Sequence, residues 1–277
     1  MKNIYILGAN SRLATHINKK FLKEFKIIRI VRVAKKNEFT FRNIPSFKYQ
    51  PHIVIDCIRI SNYANIPDIM KTLRMQKKFV DKHFNTIEKY IYFSSEELVR
   101  KKLKRFNRNN STTNYVYYKY CMEVFLQKKF NLKKLNIIRM QKIFFDNDTS
   151  FLGAYLSILK KTNIILVNNN LHGIYYQSIL ENLKKLLTTK TKYKLISYWN
   201  DNLSFLSRFD MLNYCNKKYF SNKFIIIKLP IIFNNFFKKY FYRYWETCIR
   251  SSTIDKQGNQ KNIIDCKLQI NKIVKKI

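Results

Sequence analysis

Acidic residues are scarce in this 277-residue chain: 17 Asp and Glu stand against 54 Lys and Arg, for a formal net charge of +37. So basic a surface attracts polyanions such as nucleic acid, acidic lipid or phosphorylated small molecules. The lysines are spread along the whole chain and form no tail. Lys, Asn, Ile, Tyr and Phe are all overused and share A/T-rich codons, so compositional drift accounts for much of the charge. Cysteines are few. The five, at 57, 121, 215, 248 and 266, contain no C-x-x-C spacing and have no paired histidines nearby. That excludes the usual zinc arrangements, and an odd count points to reduced thiols. His16, His52, His83 and His172 have no ligand spacing and read as surface or core residues. No apolar run approaches the roughly 20 residues of a membrane span; the best, "FIIIKLPIIFNNFF", is broken by Lys228, Pro230 and two asparagines. The N-terminus enters a strand at once, without a charged-then-apolar leader, so a cytoplasmic protein is expected. Internal repeats and low-complexity linkers are also missing.

What is present is alternation. "NIYIL" (3–7), "KIIRIV" (26–31), "HIVIDCI" (52–58), "KYIYFSS" (89–95) and "LNIIRM" (135–140) read as strands. Helices are read between them at 11–25, 69–84 and 115–130, the first from its periodicity, with Leu13, Ile17, Phe21 and Leu22 on one face. Strands separated by helices imply crossover units and a parallel sheet. Later segments are less regular: helices are expected at 151–161, 176–187 and 203–218, and strands at 163–167 and 193–197. The expectation is an α/β chain: a doubly wound parallel sheet domain over 1–150 and a smaller mixed α/β lobe over 151–277, with some segments of the latter returning to the main domain.

The turn "ILGANSRLA" (6–14) joins the first strand to the first helix. Such a turn aims free helix amides, and the positive end of the helix dipole, at one point, where a pyrophosphate can sit. Gly8 permits the tight turn, Ser11 is a helix-capping type, and Ala14 lets helix and strand approach. At the end of the second strand, dinucleotide sites for NAD usually carry an acid for the ribose hydroxyls. Here Val31 is followed by Arg32, Lys35 and Lys36. A missing acid and an added base lean toward the 2′-phosphate of NADP, with NAD the alternative.

In "YVYYKYCME" (115–123), Tyr115 and Lys119 are four apart and share a helix face. A free phenol, with a pKa of roughly 10, exchanges protons poorly near neutrality, and a neighbouring ammonium lowers that value. "YFSSEE" (92–97) places a hydroxyl, Ser95 or Ser94, at the end of a nearby strand. Together with "IVIDCI" (53–58) and "IIRM" (137–140), these motifs resemble the short-chain dehydrogenase/reductase superfamily, and within it the extended branch of nucleotide-sugar epimerases, dehydratases and reductases. The match covers 1–145, and thins beyond that to 155–170 and 229–240. It implies a Rossmann-type fold, an NADP or NAD cofactor and a nucleotide-sugar substrate. It implies roles too. Tyr115 is the acid/base, and Lys119 holds the nicotinamide ribose and tunes Tyr115. Ser95 binds the reacting oxygen. Gly8, Asn10, Ser11, Arg12 and Leu13 line the pyrophosphate, and Cys57 and Ile58 pass under the adenosine or ribose. Dimerisation through two helices per subunit is common in that family.

The chain departs from the pattern in places. Ser11 stands at the usual second glycine, Val99-Arg100 replaces an aromatic-glycine pair, and Met140-Gln141 replaces proline-glycine. The segment between 32 and 51 leaves little room for a full third strand and helix. Glu96 and Glu97 follow the serines, as the acid and base of a sugar dehydratase would; the preferred reading is two carboxylates favoured by a helix start. The aromatic and basic stretch 223–249 could lie on a membrane surface, but a lobe closing over the substrate is preferred. Two function classes are therefore in play. One is an NAD(P)-dependent epimerase or reductase of a nucleotide sugar. The other is a non-catalytic NADP-binding or basic nucleic-acid-binding Rossmann protein, although no specific nucleic acid is expected.

Overall fold

The β-branched run at Asn3–Leu7 forms β1, the strand from which the sheet grows in both directions. The computed structural model describes residues 2–35, 37–44, 52–60, 65–95, 98, 111–131, 133–140, 143–145, 164–167, 174–188, 195–199, 202–203, 208–230, 233, 236, 239–240 and 263–264. After β1 come α1 (Arg12–Phe21), β2 (Lys26–Val31), β3 (Phe39–Thr40), β4 (Ile53–Asp56), α2 (Ile66–His83), β5 (Lys89–Ser95), α3 (Ser111–Lys129) and β6 (Leu135–Met140). Then follow β7 (Ile143–Phe144), β8 (Ile164–Val167), β9 (Ile174–Tyr175), α4 (Tyr176–Thr188) and β10 (Ile196–Trp199). The last described elements are β11 (Asn202–Leu203), α5 (Arg208–Tyr219), β12 (Ile225–Lys228) and β13 (Ile263–Ile264).

Seven strands form one parallel sheet in the order β10-β6-β5-β4-β1-β2-β3. The order reverses at β1: β2 and β3 lie on one side, and β4, β5, β6 and β10 on the other. In doubly wound sheets, ligands bind beyond the strand C-termini at this reversal. Parallel strands are covered on both faces, hence the near-continuous apolar runs. Ile4 through Leu7, Ile53 through Asp56 and Tyr90 through Ser95 are all buried. One face packs on α2 and α3 through Tyr5, Leu7, Val54, Leu73, Val80, Met122 and Leu126. α1 meets α4 elsewhere in this unit, where the His16 and Tyr176 rings lie 4.2 Å apart.

The local sequence explains the helix ends. Ser11 Oγ accepts the Ala14 N–H at 3.2 Å and caps α1, and Lys19 and Lys20 oppose the negative end of its dipole. Asn65 caps α2 by accepting the Asp68 N–H at 2.8 Å, with Pro67 in the first turn. α1 stops at Phe21, short of the expected 25, because the Glu24 and Phe25 amides turn back onto the Phe21 carbonyl. Its buried face is Leu13, Ala14, Ile17 and Phe21; Leu22, expected on that face, is 58% exposed.

β1, β2, β5 and β6 occupy the expected ranges. β3 is the short third strand for which the segment had room. The strand expected at 193–197 is Ile196–Trp199, and the helix expected at 203–218 begins only at Arg208, after β11. Residues 225–228, within the candidate membrane-surface stretch 223–249, are a strand paired with β8. The helix expected at 151–161 falls outside the described residues, as do Glu96, Glu97 and His172. The chain divides into one unit of Met1–Gln141 with Tyr176–Trp199 and a second of Lys142–Tyr175 with Asn200–Ile277. The second unit holds parallel pairs β7–β9, β8–β12 and β11–β13. No helix among the described residues is long and apolar enough to cross a membrane.

Ile55, fully buried in the middle of the sheet, tests the core. Ile55→Ala is expected to destabilise the protein by about 2–5 kcal/mol, read as a lower urea midpoint with an unchanged slope.

Candidate active site

β1 ends at Leu7, and Gly8 turns the chain with φ +71°, a conformation that side chains rarely adopt. A Cβ on Gly8 would sit 2.9 Å from the Ile58 Cα. Glycine therefore lets the turn after β1 touch the segment after β4, on the two strands that flank the reversal. The Gly8 amide donates to the Ile30 carbonyl at 2.9 Å and the Ser11 amide to the Gly8 carbonyl at 2.9 Å. The opening turn of α1 contains no acid, and Arg12 is exposed there. That charge pattern suits an anion. Asn10 is exposed, whereas the Leu13 side chain is buried in the core, so only its backbone could meet a phosphate.

Arg32 is exposed just past β2. The base that touches the turn is Arg29, which the sequence reading did not single out. Its Nη2 donates to the Ala9 carbonyl at 3.2 Å and Asn10 Oδ1 at 3.3 Å, and it pairs with Glu38 at 3.1 Å. The visible signal was an arginine inside an otherwise apolar strand.

Tyr115 and Lys119 lie on α3, near β5. Lys119 is 3% exposed, and its Nζ donates to the Ile58 carbonyl at 3.0 Å and the Phe93 carbonyl at 2.8 Å. The same Nζ lies 4.8 Å from the Tyr92 ring centroid and 5.9 Å from that of half-buried Tyr115. Burial pushes the ammonium down to about 8, opposed by the negative charge of Asp56. The structure thus brings Gly8, Ile58, Lys119 and Tyr115 into one chain of contacts at the strand C-termini. Cys57 is buried beside them, and burial drives its thiol well above the usual range. Ser95 and Ser94 are both buried at the end of β5. Side chains alternate along a strand, so Ser94 falls on the face of Tyr90 and Tyr92, toward α3, and Ser95 on the other. Ser94 Oγ has no hydrogen-bond partner among the described residues.

Glu123, four past Lys119, has a different task. Its carboxylate accepts Arg139 Nε at 3.1 Å and Nη2 at 2.6 Å, and Arg139 Nη1 donates to Tyr198 Oη at 2.9 Å. This fork ties α3 to β6 and β10.

No family model matches the sequence, and no curated protein matches it. Solved structures share its fold. The dTDP-4-dehydrorhamnose reductase from Yersinia enterocolitica aligns over 99% of this chain and 99% of its own, with TM-score 0.60 and 14% identity. That from Bacillus anthracis, in complex with NADP, covers 84% of this chain and 85% of its own, with TM-score 0.58 and 17% identity. UDP-glucuronic acid 4-epimerase from Bacillus cereus, in complex with NAD, covers 82% and 87%, with TM-score 0.59 and 13% identity. The Rossmann-type fold implied by the resemblance to extended short-chain dehydrogenase/reductases is the fold observed.

The Glu123–Arg139 pair gives a direct test. Glu123 is 2% exposed and Arg139 16%. Glu123→Leu alone is expected to cost about 3–5 kcal/mol by stranding the guanidinium, and adding Arg139→Met is expected to recover most of it, measured by chemical unfolding.

Proposed function

We propose that this protein is an NAD(P)-dependent epimerase or reductase of a nucleotide-activated sugar, with Tyr115 as its acid/base. The observation that carries this reading is the fixed, buried ammonium of Lys119, set between the Ile58 and Phe93 carbonyls and beside the Tyr115 ring. A lone buried lysine is costly; one held next to a phenol, at the ligand-binding edge of a doubly wound sheet, has a catalytic rationale. Folds like this one in nucleotide-sugar reductases and epimerases support the substrate class.

The pyrophosphate of the dinucleotide would lie on the Gly8–Arg12 turn and the N-terminus of α1, over Asn10 and Ser11 and the Leu13 backbone. Cys57 and Ile58 would pass under its adenosine or ribose. Arg32 would favour the extra phosphate of NADP. When bound, the nicotinamide supplies or accepts a hydride. Lys119 has three N–H groups, two of them donated to carbonyls, and the third would hold the nicotinamide ribose. Its charge stabilises the phenolate that forms when Tyr115 gives up a proton. Tyr115 Oη would exchange that proton with a sugar hydroxyl or keto oxygen, and the β5 hydroxyl for the same oxygen would be that of Ser94, which shares the face toward α3, in place of Ser95. The basic surface would draw in the substrate's diphosphate.

A screen of nucleotide sugars with NADPH or NADH, followed by nicotinamide absorbance, tests this. Tyr115→Phe is expected to lower turnover by at least about 100-fold while cofactor affinity stays near that of wild type. Wild-type turnover is expected to fall as pH rises through about 8, where Lys119 loses its charge. Unaltered turnover in Tyr115→Phe would overturn the reading. So would steeply salt-dependent nucleic-acid binding, indifferent to that change, in a protein without turnover.

A further inference from the structure

Directly behind Lys119 lies a polar cluster that the mechanism above does not use. Asp56, the last residue of β4, is fully buried between the sheet and the layer of α2 and α3. Its Oδ1 accepts the Ile58 N–H at 3.0 Å. Its Oδ2 accepts Gln76 Nε2 at 2.8 Å and Tyr90 Oη at 2.8 Å. The Gln76 amide is oriented in turn by the Tyr118 hydroxyl, which donates to its Oε1. Every bond is donated toward the carboxyl, the pattern of an ionised acid, which only accepts. An ionised acid in such a core needs a partner charge.

We propose that Asp56 is the positioning residue of Lys119: it fixes the backbone at 57–58, so that the Ile58 carbonyl meets Nζ, and supplies the negative charge that keeps the buried ammonium protonated. The link is short and explicit, since Ile58 gives its N–H to Asp56 and its carbonyl to Lys119. Other charges facing Nζ cannot replace it. Glu123 is bound in a fork to Arg139. Arg59 opposes the ammonium, and Cys57 is a thiol held neutral by burial. The phenols of Tyr92 and Tyr118 are held well above their usual range by burial, and Tyr115 presents its ring. The carboxyl of Asp56 is itself raised by burial, with the Lys119 charge and its three donors acting against that.

The inference rests on the catalytic assignment of Lys119, but its test needs no cofactor or substrate, so the two can fail separately. Asp56→Asn keeps an acceptor for the Ile58 amide and removes the charge. Thermal unfolding is measured for wild type, Asp56→Asn, Lys119→Met and the double variant, at pH 7 and pH 10. At pH 7 the drop in Tm caused by Asp56→Asn is expected to be larger in wild type than in Lys119→Met. At pH 10 Lys119 is neutral in the folded protein, and the two drops are expected to converge. Equal drops at pH 7, or a difference that persists at pH 10, would overturn the proposal. Should Asp56→Asn not fold, Lys119→Met alone decides. With its partner gone, the carboxyl titrates higher in the folded than in the unfolded state, so that variant loses stability relative to wild type as pH rises from 5 to 8. Parallel curves over that range would overturn the proposal equally. In turnover assays, Asp56→Asn is expected to move the alkaline limb to lower pH; a uniform loss at all pH values marks a merely structural residue.

Discussion

A protonated lysine buried beneath a sheet edge constrains everything near it. Lys119 is almost wholly removed from water, and a lone ammonium there would shed its proton or unfold its surroundings. The ends of β4 and β5 prevent this by turning the Ile58 and Phe93 carbonyls inward. Gly8 must then be glycine, because its turn presses on the same Ile58 backbone. The tight turn after β1, the segment that leaves β4 and the placement of Tyr115 on α3 are therefore parts of one arrangement, and that arrangement lies where the strand order reverses.

The sheet was legible because parallel strands announce themselves. Runs such as "NIYIL" and "LNIIRM" are apolar on both faces, and α1 and α2 between the strands carry a 3.6-residue stripe. Errors fell where tertiary contacts set the ends. α1 closes at Phe21 through backbone turns that no stripe encodes, leaving Leu22 in solvent. Later, β10 begins at Ile196, three residues beyond the start of the expected run, and β12 occupies part of a stretch that reads as amphipathic.

The candidate site was legible where spacing carries geometry, and hidden where burial does. Tyr115 and Lys119 could be paired from their four-residue interval, and Gly8 from its place between strand and helix. Asp56 could not, although it closes an otherwise apolar strand. Gln76 is a polar residue on the buried stripe of α2, between Leu73 and Val80, and that mismatch was the available signal for a polar cluster. Arg29 sits in the same category: the sequence drew attention to the exposed Arg32, while the base that grips the turn is three residues earlier. Glu123 lies four residues past Lys119 on the same helix, and its partner Arg139 emerges only once β6 is laid beside β5.

The most direct measurement is a crystal structure of the protein grown with NADPH. The account predicts a dinucleotide draped over the Gly8 turn, with the Lys119 ammonium hydrogen-bonded to the nicotinamide ribose and the Tyr115 hydroxyl beside the nicotinamide ring. A dinucleotide bound elsewhere, or a Tyr115 directed away from it, would contradict the account.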